Sequence, residues 1–168
     1  MSTRRFALKA VAASLGAAGL GTLAPAAAAG IEIGTPAPEL DIRLLNGKLL
    51  KGRQLQGKVV VQMYWATWCP YCRAALPEMQ RLYVQLQPKG LEILALSIDE
   101  SEKTARDFWK GKAYSFPSAM RSNEFFAHYG RIGTTPTYVV IDRGGIVRHR
   151  INGAPEHGVL EQMVTKLL

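Results

Sequence analysis

Cysteine is scarce in this sequence: two residues, Cys69 and Cys72, among 168. That excludes a scaffold stapled by several disulfides. It also excludes a structural zinc site built from cysteine alone, which takes four ligands. Histidine does not fill the gap, because His128, His149 and His157 include no pair at metal-ligand spacing. Lysine and arginine form neither a run nor a stripe interleaved with aromatics, so the clustered phosphate contacts of a nucleic-acid partner are missing. The net charge of +8 falls to +5 once residues 1–29, which hold Arg4, Arg5 and Lys9 and no acid, are set aside. No repeat, low-complexity segment or linker follows Gly30. A chain of this size, with 48% hydrophobic residues, is predicted to build one globular domain over residues 30–168.

The first 29 residues read as an export signal. M-S-T-R-R-F-A-L-K is short and positive, Ala10 to Leu23 is softly apolar, and Ala27 and Ala29 satisfy the small-x-small cleavage rule. Thr3 to Lys9 resembles the twin-arginine consensus, which is read by an exporter of folded proteins. The alternative is an uncleaved membrane anchor, since Ala10 to Ile31 is uncharged and just long enough to span a bilayer. Its Ala/Gly composition and Pro25 weigh against insertion. Periplasmic release of a soluble domain is therefore predicted.

The rest of the chain alternates strand and helix patterns before ending in a hairpin and a helix. Asp41 to Leu50 reads as a hairpin around Asn46-Gly47, a pair that favours a primed two-residue turn. Val59 to Trp65 and Leu91 to Ile98 are apolar runs without alternation, as in strands covered on both faces. Pro70 to Gln87 carries apolar residues at three-and-four spacing and predicts a helix. Further helices are expected from the Ser101 cap to about Lys112, at Phe125 to Tyr129 and at Glu156 to Leu168, with strands at Thr137 to Ile141 and Ile146 to Ile151. This order predicts an α/β fold: a central mixed sheet with helices on both faces and an N-terminal β-hairpin extension.

Both cysteines fall in W-A-T-W-C-P-Y-C, Trp65 to Cys72, at the end of the first buried strand. Three chemistries compete for them. A structural bridge closing a four-residue loop contributes only about 2 kcal/mol. A metal site lacks its other ligands. The redox reading fits the placement. Cys69 sits at the start of a helix whose first residue is Pro70, where proline leaves no N–H unpaired. Free backbone donors and the helix dipole there favour a thiolate. On this reading Cys69 is the exposed attacking sulfur, and Cys72, one turn further on, is the shielded resolver.

The motifs resemble the thioredoxin superfamily, specifically the exported TlpA/ResA/DsbE-like thiol–disulfide proteins. The resemblance runs from G-T-P-A-P (Gly34 to Pro38) through N-G-K-L-L and L-Q-G-K-V-V-V to the W-A-T-W-C-x-x-C signature, Pro77 at the helix-kink position, and G-T-T-P-T-Y-V-V-I-D (Gly133 to Asp142). It implies a thioredoxin fold and exchange of a redox-active Cys69–Cys72 disulfide with protein substrates, with no other cofactor and no metal. It also implies a cis-proline at Pro136, a backbone contact from Thr135 to the bound substrate, and a substrate surface that includes Trp68, Pro70 and Tyr71. Cytochrome c or metalloprotein maturation, coupled to a membrane thiol donor or acceptor, is the setting the resemblance suggests.

Two positions depart from the pattern. The buried Asp of many thioredoxins is Met63 here, and the Glu of ResA-like proteins is Ala75. Neither proton acceptor for Cys72 is present, and Pro70-Tyr71 is not the dipeptide of strong reductants. The alternative function is a thioredoxin-fold copper chaperone with Cys69 and Cys72 as soft ligands. Such relatives space their cysteines by three and add a distant His. A peroxidase would want Thr at position 66, which is Ala66.

Overall fold

A computed structural model describes residues 32–168, so the proposed export signal lies outside the described residues. The scaffold is a five-stranded mixed sheet in the order β5-β4-β3-β6-β7. Its strands are β3 (Val59–Trp65), β4 (Leu91–Ser97), β5 (Ser118–Met120), β6 (Thr137–Ile141) and β7 (Val147–Asn152). β3, β4 and β5 run parallel, and β6 and β7 return antiparallel. The helices are α1 (Pro70–Leu86), α2 (Glu102–Lys110), α3 (Asn123–Tyr129) and α4 (Val159–Thr165). None of these helices is long and apolar enough to cross a membrane.

The absence of alternation in β3 has its explanation in the two layers. Val59, Val61, Met63 and Trp65 point into one core with Leu76, Met79 and Leu82 of α1 and Leu160 and Val164 of α4. Val60 and Tyr64 point into the other, with Phe125 and Tyr129 of α3, Ile42 of the N-terminal hairpin and Leu40 just before it. Every residue of β3 and β4 is buried, and apart from Gln62, Glu92 and Ser97 their side chains are apolar on both faces. The expected fold class is the observed one.

Three local expectations are corrected. The hairpin, β1 (Ile42–Arg43) with β2 (Leu49–Leu50), closes through a three-residue loop rather than a two-residue turn: the Leu44 N–H donates to the Lys48 carbonyl, and Gly47 takes φ 83°. Leu45 is the reason, because it is buried and its N–H donates to the Ser118 carbonyl, so the sheet draws it inward. β5 escaped the sequence reading altogether. It has three residues, and its existence depends on pairing with β4. The closing helix starts at Val159 and not Glu156, because Gly158 before it adopts φ 81°, outside helical space.

At the end of the sheet away from the cysteines, the Arg143 guanidinium donates to the carbonyls of Gly57, Lys89 and Leu168 at 2.8–3.1 Å. It thereby ties together three segments distant in sequence. Arg143→Ala is expected to lower stability by about 1–2 kcal/mol, read as a lower urea midpoint at unchanged m-value. An unchanged midpoint would show that water replaces all three bonds.

Candidate redox site

The site stands where β3 ends and α1 begins. Cys69 is the N-cap of α1, in extended conformation, and Pro70 occupies the first helical position. The Sγ of Cys69 accepts a hydrogen bond from the Cys72 N–H at 3.1 Å. The sulfur thus takes up one of the four N–H groups that a helix start leaves unpaired. Cys69 and Cys72 form a disulfide, with Cα atoms 5.3 Å apart. No acid lies in the first turn of α1, so nothing there opposes a negative charge on Cys69.

The structure brings Thr135 and Pro136 to this disulfide from 66 residues away. The Thr135–Pro136 peptide bond is cis, and the Thr135 carbonyl oxygen lies 3.4 Å from Cys69 Sγ. The loop is pinned beneath by the Thr137 hydroxyl, which donates to the Thr134 carbonyl at 2.7 Å, and by the Gly153 N–H, which donates to the Pro136 carbonyl at 2.7 Å. Trp68 and Tyr71 flank the disulfide and are 66% and 69% exposed, a large apolar area left in water. Pro70 is also exposed, Thr135 is half-buried and Pro136 is buried. Trp65 belongs to the core, with its ring against Phe108 and Trp109.

One expectation about exposure needs correcting. Cys69 is only 3% exposed, against 0% for Cys72. Both cysteines are buried in the disulfide form, and Cys69 is walled by its own helix start and the Thr135 loop.

Around Cys72 the surroundings are apolar. Met63, Ala75, Leu76 and Tyr138 pack in the same cluster, and among the described residues no side chain hydrogen-bonds its sulfur. Tyr138 stands directly across the strand pair from Met63. Burial, and then the Glu78 carboxylate, raise its phenol well above the usual tyrosine range, so at neutral pH it is a hydrogen-bond donor and no base.

A buried cluster beside the disulfide was missed in the sequence. Asp99, just past the end of β4, accepts from the Thr67 N–H at 3.1 and 3.2 Å, the Thr67 hydroxyl at 2.7 Å and the Ser97 hydroxyl at 2.7 Å. The available signal was an acid placed straight after an apolar run, where parallel strands present their carboxyl ends.

Comparison with known proteins agrees with this geometry. The Redoxin family model matches residues 32–167. The thiol-disulfide oxidoreductase ResA of Bacillus thuringiensis subsp. konkukian is 35% identical over 138 residues, covering 82% of this chain and 79% of that protein. ResA of Geobacillus thermodenitrificans is 32% identical over 124 residues, covering 73% of this chain and 71% of that protein. The crystal structure of a thioredoxin-family thiol:disulfide interchange protein from Chlorobium tepidum TLS superposes with a TM-score of 0.73 at 26% identity, over 82% of this chain and 99% of that one. With a Cys-x-x-Cys disulfide capping a helix opposite a cis-proline loop, and with relatives of this similarity, the chain belongs to the redoxin family of thioredoxin-fold proteins and is a ResA-like thiol–disulfide oxidoreductase.

Proposed function

We propose that Cys69 is the attacking sulfur and Cys72 the resolving sulfur of an exported protein-disulfide oxidoreductase, with residues 1–29 a cleaved twin-arginine signal and residues 30–168 the redoxin domain. The observation that carries this reading is the pairing of two environments. Cys69 Sγ takes the Cys72 N–H at the helix start and lies beside the Thr135 carbonyl under a rim of exposed Trp68, Pro70 and Tyr71, whereas Cys72 is fully buried in the apolar cluster. A substrate cysteine approaching over Trp68, Pro70 and Tyr71 meets Cys69 first. The Thr135 backbone, beside Pro136, offers a carbonyl to an extended substrate segment.

The exchange balances without any other cofactor. In the reducing direction the Cys69 thiolate attacks a substrate disulfide, forms the mixed disulfide and expels one substrate thiolate. Cys72 then attacks Cys69 Sγ, releases the second substrate thiol and leaves the Cys69–Cys72 disulfide. Two electrons pass to the substrate, and a membrane thiol donor restores the dithiol. Oxidation of a substrate is the same path reversed. Maturation of cytochrome c or another exported metalloprotein is the setting we assign, because both need cysteine thiols kept available outside the cytoplasm. The two-residue spacing of Cys69 and Cys72 weighs against the copper-chaperone alternative, whose relatives space their cysteines by three and add a distant His.

Mixing the reduced domain with a disulfide-bearing protein should transfer two electrons per chain, counted by thiol alkylation and mass measurement. No transfer in either direction would reject the reading. Export is tested separately. Arg4→Lys with Arg5→Lys should leave the precursor in the cytoplasm, and continued export of that variant would point to the general secretory route.

A further inference from the structure

We propose that Asp99 is a positioning residue of the redox site, acting through Thr67 on the turn that carries Trp68 and Cys69. This rests on the reading of Cys69 as the attacking sulfur. The Cys69 N–H donates to the Ala66 carbonyl at 3.2 Å, so residues 66–69 form one tight turn whose central residues are Thr67 and Trp68. Asp99 grips that turn at Thr67 by both backbone N–H and hydroxyl. Its other oxygen accepts from the Ser97 hydroxyl, and the Asp99 N–H donates back to Ser97 Oγ at 3.0 Å, closing a small ring at the end of β4. Just before the Thr67–Asp99 pair, the Ile98 N–H donates to the Trp65 carbonyl at 2.8 Å. The ends of the two central strands are therefore locked together just before the cysteine.

Asp99 is only 8% exposed, and no lysine, arginine or histidine nitrogen lies in ion-pair range of it among the described residues. A buried carboxylate is costly to hold without hydrogen bonds, and here the active-site turn supplies most of them. The carboxylate and the turn therefore depend on each other. Fixing Thr67 sets where Trp68 projects into solvent, and it sets the extended conformation in which Cys69 turns its sulfur onto the Cys72 N–H. The charge acts separately from the grip: a carboxylate behind the turn disfavours a thiolate in front of it.

Two near-isosteric substitutions separate grip from charge. Thr67→Val removes the hydroxyl donor and leaves the carboxylate, so the turn loosens and the Cys69 thiolate loses alignment with the helix start. Asp99→Asn keeps the Oδ1 acceptor for the Thr67 N–H and hydroxyl and removes the charge, while its amide replaces the oxygen that accepts from the Ser97 hydroxyl, so Ser97 must turn its hydrogen away and accept instead. Cys69 ionisation is followed in the reduced protein by thiolate absorbance and by the pH dependence of its alkylation. Thr67→Val is expected to lower the Cys69 acid dissociation constant roughly three- to tenfold, and Asp99→Asn to raise it by a similar factor. Thr67→Val should also slow exchange with a protein substrate more than exchange with glutathione, because Trp68 serves only the former. General destabilisation cannot produce opposite signs. If both variants shift Cys69 the same way in step with their melting temperatures, or neither shifts it, Asp99 is structural only and the proposal is overturned. If Cys72 proves to be the fast-alkylating thiol in the unsubstituted protein, the reading of the site itself fails, and this proposal with it.

Discussion

Cys72→Ser is expected to accumulate mixed disulfides between Cys69 and substrate proteins, while Cys69→Ser should form none and lose exchange activity by on the order of 10³-fold or more. The reason is access and charge together. Cys72 is completely buried in an apolar cluster, where a thiolate is disfavoured and a substrate sulfur cannot reach. Cys69 has the helix start beneath it and an N–H already directed at its sulfur, and it sits at the edge of the cluster beside exposed Trp68 and Pro70. With Cys72 replaced by serine the first attack proceeds, but nothing releases the intermediate. With Cys69 replaced, the remaining thiol is behind it. The variants would be compared by non-reducing electrophoresis and mass measurement of captured substrate. Equal capture by both would reverse or abolish the assigned order.

The legible part of this molecule is the part whose burial is symmetric or whose motif is local. β3 announced itself because both of its faces are covered, and α1 because its apolar stripe, its Pro70 start and its Cys69 cap lie within one short stretch. The disulfide site was legible for the same reason, since five of its residues are contiguous in Trp68 to Cys72. What stayed hidden depends on distant partners. β5 is a strand only because β4 lies beside it, and the Leu44–Lys48 loop is set by Leu45 docking against Ser118. Asp99 reaches Thr67 across 32 residues, and nothing within I-D-E-S says which turn it will hold. The near-complete cover over Cys69 was hidden too, because the covering loop arrives from Thr135.

The reduction potential of the Cys69–Cys72 pair is expected to lie well above that of thioredoxin, at roughly −230 to −150 mV, with slow resolution by Cys72 near neutral pH. The thermodynamic half follows from Cys69. Hydrogen bonding at the helix start stabilises its thiolate, which belongs to the reduced form, and each tenfold gain for that form raises the potential by about 30 mV. The kinetic half follows from Cys72. Met63 and Ala75 occupy the positions where relatives place a carboxylate, and both pack in its apolar cluster. Without a nearby base, the Cys72 thiol must lose its proton to water before it attacks. Resolution of the mixed disulfide should therefore accelerate as pH rises toward the Cys72 thiol pKa, by close to tenfold per pH unit on the acid side. Ala75 lies one helical turn beyond Cys72 and lines a small cavity of about 50 Å³ with Glu78, Met79 and Tyr138. That cavity leaves room for a longer side chain at position 75, one helical turn from Cys72 on the same face of α1. Ala75→Glu should then raise the resolution rate at pH 7 by roughly tenfold and flatten the profile, because a carboxylate now accepts the proton. Equilibration with glutathione gives the potential, and stopped-flow release from a preformed mixed disulfide gives the rate. A potential near −270 mV would overturn the thermodynamic half. A flat pH profile in the unsubstituted protein, with no gain from Ala75→Glu, would mean that a base already serves Cys72.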